Sequence, residues 1–151
     1  MAEPRGYGQY CPIAVAAEVV AERWTPLVLR ALCLGATRFN EIQASVPRMS
    51  PALLSRRLRE LERARILERR PLPGGRGAEY RLTEAGRALL PVLEAMGLWA
   101  LEWLEREVFA ERNLDPGLLM WELRRIALSA PRPPARRRVA RFRMDDAPEG
   151  K

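Results

Sequence analysis

The sequence predicts a mainly helical fold with one small β-hairpin, an α+β arrangement, from three observations. A short amphipathic segment, a brief turn and a second amphipathic segment faced with arginines occupy residues 37–64. Two extended runs then flank a loop rich in glycine and proline. A long segment with a wide apolar stripe follows, broader than a small domain covers by itself.

Composition narrows the function before any motif is considered. The 151 residues carry a net charge of +7, and all but one of the 26 basic residues are arginine. That balance favours an acidic partner, because the guanidinium fork grips phosphate or guanine at two points. Histidine is absent and there are two cysteines, which removes Ser-His-Asp and Cys-His nucleophile systems and leaves too few soft ligands for zinc. No catalytic constellation, cofactor or metal site is expected. The carboxylates Glu60, Glu62, Glu94, Glu102, Glu105 and Glu107 fall in helical patterns, where solvated ion pairs are the default reading. No apolar run approaches the roughly 18 residues that span a bilayer, so no membrane partner is expected, and the chain reads as cytoplasmic.

Residues 1–9, with Pro4, Gly6 and Gly8, read as a flexible arm, residues 10–112 as the principal domain and residues 113–151 as an appendage. Tyr10-Cys11-Pro12 opens a helix of small residues through Ile13, Val15, Ala16, Val19 and Val20. Thr25 is the expected cap of the next, with Pro26 in its first turn, Leu27, Val28, Ala31 and Leu32 buried, and Gly35 at its end. Trp24 reads as a core anchor. Thr37 is expected to cap a short helix over residues 38–44, with Phe39 and Ile42 inward and Arg38, Asn40 and Gln43 outward. After the connection Val46-Pro47-Arg48-Met49, Ser50 caps and Pro51 starts the arginine-faced helix. Leu54, Leu58 and Leu61 form its apolar face, with Leu53 at the margin. Ala52, Ser55, Arg56, Arg59 and Arg63 fall largely opposite, and Arg57 lies towards the border with the protein side. A solvated basic helix carries the same charges, but the preceding helix and turn give the layout of a helix-turn-helix, whose second helix enters the DNA major groove.

The hairpin is expected from residues 66–70 and 78–82, with the loop Pro71-Leu72-Pro73-Gly74-Gly75-Arg76-Gly77 between them. It would serve as a wing, with Arg76 near a phosphate or minor groove; an ordinary solvated loop arginine is the equal alternative. Thr83 then caps a long helix through Leu89, Leu93, Met96, Ala100 and Trp103, which Pro91 should kink or divide. Leu93, Met96, Trp99, Ala100, Trp103 and Leu104 are the expected homodimer interface. A further amphipathic helix within residues 113–126, capped at Asp115-Pro116, is expected next; a connector rich in proline and arginine then leads to residues 138–144, which read either as a short strand or as a basic arginine tail.

Cys11-Pro12-Ile13, Arg23-Trp24-Thr25, Arg38-Phe39-Asn40-Glu41-Ile42, Ser50-Pro51, the run from Leu54 through Leu61 and Tyr80-Arg81-Leu82-Thr83-Glu84-Ala85-Gly86 together resemble the HxlR-type winged helix-turn-helix regulators. The resemblance implies homodimeric bacterial transcription factors whose terminal helices build the dimer. It also marks Cys11 as a candidate redox sensor, against the plainer reading of a small hydrophobe at a helix start. On this reading the partner is double-stranded DNA with an inverted-repeat operator. Ser55, Arg56, Arg59 and Ala52 are the expected base contacts; Thr37, Arg38, Arg48, Ser50, Arg57, Arg63 and Arg76 are the expected phosphate or wing contacts. The alternative is a module of the same fold that reads no DNA and binds a small apolar effector near Trp99, Trp103 and Trp121.

Overall fold

The computed structural model describes residues 6–75, 77–113 and 115–129. In chain order the elements are α1 (Pro12–Val20), α2 (Thr25–Cys33), α3 (Phe39–Ser45), α4 (Pro51–Arg63), β1 (Leu67–Pro71), β2 (Ala78–Leu82), α5 (Glu84–Arg87), α6 (Leu90–Trp103), α7 (Glu105–Val108) and α8 (Pro116–Ser129). The fold is mostly helical with one antiparallel two-stranded hairpin, as the sequence predicts.

The core is built by α2, α3, α4 and the base of the hairpin. Val28, Leu29, Ile42, Val46, Met49, Leu54, Leu58, Leu61 and Leu67 are each no more than 2% exposed. Leu29 takes the inward place expected of Leu27, which is 38% exposed. The start of α2 also differs from expectation. Thr25 is its buried first residue, and the preceding Trp24 adopts a left-handed backbone (φ 78), with the Arg23 guanidinium 5.5 Å from its ring centroid. Trp24 packs on the core edge, as an anchor should.

The helix start at α3 is secured by a side chain from within the helix. The Glu41 carboxylate accepts the Thr37 and Arg38 N–H groups at 2.8 and 3.0 Å, so Arg38 is the boundary residue and α3 begins one position later than expected. Gln43, expected outside, donates instead to the Val46 and Met49 carbonyls at 3.3 and 2.7 Å and fastens the turn that follows. At α4 the expectation holds. Ser50 Oγ accepts the Leu53 N–H at 3.3 Å and Pro51 stands in the first turn. The helix closes where Arg65, with φ 59, lets the Ile66 N–H reach the Leu61 carbonyl at 2.9 Å.

Strands β1 and β2 pair from Leu67 opposite Leu82 to Pro71 opposite Ala78. Tyr80 and Leu82 pack on the core, and the Tyr80 N–H donates to the Thr37 carbonyl at 2.8 Å, which ties the hairpin to the start of α3. At the hairpin's exit Thr83 Oγ1 accepts the Gly86 N–H at 3.1 Å and donates to the Arg65 carbonyl at 2.8 Å. Gly86 is buried so closely there that a Cβ would stand 2.1 Å from the Ile66 carbonyl oxygen.

The helical stretch after Thr83 is divided, as expected from Pro91, and it breaks a second time at Leu104. α5 ends at Arg87, α6 carries Pro91 in its first turn, and α7 follows Leu104. Neither α1 nor α6 buries any residue in this chain. α8 packs against α3, and Asp115 Oδ1 accepts the Leu118 N–H at 3.0 Å at its start, the cap expected at Asp115-Pro116. The expected strand or tail over residues 138–144, its connector and Arg76 lie outside the described residues.

Candidate nucleic-acid interface

The surface of interest is the outward side of α4 together with the turn before it. Three leucines sink one side into the core, and the opposite side is left to solvent. Ala52, Arg56, Arg59 and Arg63 are exposed and Ser55 is half-buried. Arg48 is exposed in the preceding turn, and Ser50 is exposed while its hydroxyl caps α4. Arg38 is exposed beside Glu79 of β2, and half-buried Thr37 joins α3 to the hairpin through its backbone. The helix-turn-helix thus brings these residues onto one structural unit, except for Arg57.

Arg57, expected among the phosphate contacts, is corrected by its geometry. It is 8% exposed, and its terminal nitrogens are both committed within the protein, to Glu22 and Glu60 at 2.6 Å each. Its place one turn from Leu54 and Leu61 puts the stem among the leucines, so the charge has to be satisfied from inside. Glu60 accepts a second arginine on its other oxygen, Arg56 Nε at 2.8 Å. Partial burial pushes the Glu60 carboxyl up, but the hydrogen bonds from Arg56 and Arg57 outweigh it and hold the group below its ordinary value. The side-chain hydrogen bond from Arg81 likewise holds the Glu79 carboxyl low.

Glu22, Glu60 and Gln43 are the residues that sequence reasoning missed. Glu60 had a legible signal, lying three and four positions after two arginines on one helix. The Glu22–Arg57 pair had none, since its partners are 35 positions apart.

Of the expected interface residues, Met96, Trp99, Trp103 and Leu104 are exposed and Ala100 is half-buried. Leu93 is half-buried, with part of its side chain packed against the core. Cys11 is the half-buried residue immediately before α1. Burial, with help from the Glu94 charge, pushes the Cys33 thiol up. A cavity of about 710 Å³ between α1 and α4 is lined by Tyr7, Glu18, Glu22, Arg23, Arg56 and Arg57 among others. A second, of about 420 Å³, includes Cys33, Tyr80, Arg81 and Arg87.

A hairpin beside a helix-turn-helix whose second helix turns arginines to solvent defines a winged helix-turn-helix protein of the DNA-binding regulators. The chain belongs to the HxlR-like helix-turn-helix family, whose sequence model matches residues 19–108. It is 37% identical over 99 residues to the HTH-type transcriptional regulator YvaP of Bacillus subtilis, covering 64% of this chain and 92% of that one. The quinone-bound structure of YodB from B. subtilis is 37% identical, with a TM-score of 0.54 over 62% of this chain and 99% of YodB. The redox regulator HypR in its reduced form is 28% identical, with a TM-score of 0.59 over 64% of this chain and 99% of HypR. The family and these relatives are transcriptional regulators, not enzymes, and DNA is the partner of the class. No described helix is long and apolar enough to cross a membrane.

Proposed function

We propose that two copies of this chain bind an inverted-repeat operator, each laying α4 into the major groove of one half-site. The observation that carries this reading is the two-sidedness of α4: its leucines are locked in the core while Ala52, Ser55, Arg56 and Arg59 remain on the free side. Arg56 and Arg59 are the candidate guanine readers, with Ser55 and Ala52 contacting neighbouring base edges. Thr37, Arg38, Arg48, Ser50 and Arg63 are the candidate contacts to the flanking phosphates, and the hairpin loop, with Arg76 in its sequence, is the candidate wing on adjacent DNA. The exposed apolar sides of α1 and α6 supply the pairing surface, which would set the two reading helices about 34 Å apart, one turn of the duplex.

Selection of random double-stranded DNA by the full chain, at rising salt, tests this reading. A symmetric motif should survive salt that abolishes random binding. Arg56→Ala should relax preference at one base of each half-site at a cost of about 1 to 3 kcal/mol. Selected DNA without a shared motif would overturn the proposal.

A second component concerns the signal. YodB and HypR have been captured in quinone-bound, reduced and oxidised forms, and Cys11 is the cysteine of this chain that stands at the N-terminal boundary of a helix, α1. Cys11 is therefore our candidate sensor, and a small apolar electrophile of the quinone type is the candidate effector. Treatment with a quinone should release operator DNA from the wild type and leave the Cys11→Ser variant bound; equal release from both would remove Cys11 from the scheme.

A further inference from the structure

We propose that Glu60 is a positioning residue that presets the Arg56 guanidinium for end-on reading of a guanine, so that base discrimination at that position depends on a residue which itself touches no base. The inference rests on the reading of α4 as the DNA-reading helix.

The geometry around Arg56 is specific. Its Nε donates to Glu60 Oε1 at 2.8 Å, and its terminal amino groups carry no partner among the described residues. An arginine reads guanine by directing two parallel N–H groups at O6 and N7. When the Nε side is occupied by a carboxylate, the far edge with both terminal nitrogens remains for that task. The arginine side chain is 61% exposed, and its hydrogen bond is the one to Glu60. Glu60 therefore removes freedom that would otherwise be lost on binding.

The carboxylate is in turn held from the other side. Glu60 Oε2 accepts Arg57 at 2.6 Å, and Arg57 reaches on to Glu22 at 2.6 Å, beyond the end of α1. Arg57 is almost wholly buried, so the pair beneath Glu60 is far better fixed than the exposed pair above it. The chain Glu22–Arg57–Glu60–Arg56 transmits that fixity outward to one guanidinium.

Glu60 also acts on unwanted sites. For Arg56 to swing to a phosphate, it must leave a carboxylate of like charge to that phosphate. Removing Glu60 should therefore free Arg56 as an indiscriminate cation and increase sequence-independent binding.

The test uses the full chain, with wild type, Glu60→Ala, Glu60→Gln and Glu22→Ala measured on an optimal site and on sites changed at the Arg56-dependent base. Glu60→Ala should reduce the affinity ratio between these sites about tenfold and add about one phosphate contact to the salt dependence. Glu60→Gln keeps an acceptor for Nε and should lose less, about threefold, which serves also if the alanine variant folds poorly. Glu22→Ala weakens the support of Arg57 but leaves the Arg56–Glu60 pair; it should lower the melting temperature and reduce the affinity ratio less than either Glu60 variant does. In an Arg56→Ala background, Glu60→Ala should not change base preference further. Wild-type ratios and salt slopes in both Glu60 variants, with the motif intact, would overturn the role of Glu60 alone. A wild type with no base preference at all would overturn the reading of α4 and this inference with it.

Discussion

The winged half of the molecule and the helices that flank it solve the same problem in opposite ways. From α2 to β2, every element finds cover within the chain: three sides of a leucine-rich core meet, and side chains such as Leu29, Ile42, Leu54 and Leu58 are sealed. α1 and α6 are as apolar in sequence yet bury no residue, leaving Ile13 79%, Leu98 67% and Trp103 67% exposed. Apolar content therefore does not decide where the core is; access to a second apolar layer does. The winged half is covered in one copy, whereas the flanking helices leave apolar faces uncovered within it.

That contrast can be broken or sharpened by substitution. Leu58→Ala, in the sealed half, should cost about 3 kcal/mol in urea unfolding, at every protein concentration. Gly86→Ala strikes the seam between the halves, where the added methyl meets a backbone oxygen; about 2 kcal/mol of destabilisation is expected from thermal unfolding. Trp103→Glu should leave the winged half folded in near-ultraviolet and hydrogen-exchange measurements. It should move the sedimentation coefficient to that of a single copy and remove the concentration dependence of the melting temperature. If Trp103→Glu instead unfolded the chain at all concentrations, the two halves would share one core and the contrast would fail.

The smallest effect expected is on acid stability. The Glu60 carboxyl titrates below its ordinary value of 4.5 when folded, so its pairing contributes in full above that pH. The contribution is lost as pH falls through the lowered folded value. Glu60→Gln should accordingly be less stable than wild type at neutral pH and lose less on acidification, as measured by denaturant midpoints across the acid range.

What the sequence disclosed follows the range of the interactions. α4 was legible because its signals are all within one helix: a serine and proline at the start and leucines at helical spacing. The hairpin was legible because prolines and glycines interrupt two extended runs. The beginning of α2 was not, because nothing local foretells that Trp24 takes a left-handed backbone and that Thr25 is thereby buried. Arg57 reads as one more exposed arginine until Glu22 arrives from another helix. Gln43 has the composition of a surface residue, and only the path of the turn reveals the carbonyls it serves. The pattern for the candidate site is similar. Its outward residues could be named from helical phase, whereas the residues that hold them still could not.

The seam at Gly86 has a mechanical meaning for the proposed dimer. There the end of α4, the exit of the hairpin and the start of the flanking helices are bolted through the Arg65 and Ile66 carbonyls, with no space for even a methyl group. Such a joint turns the paired molecule into callipers with a stiff hinge. It would measure the distance between half-sites as strictly as it reads their letters, and operators lengthened by half a helical turn would be rejected even with both half-sites intact.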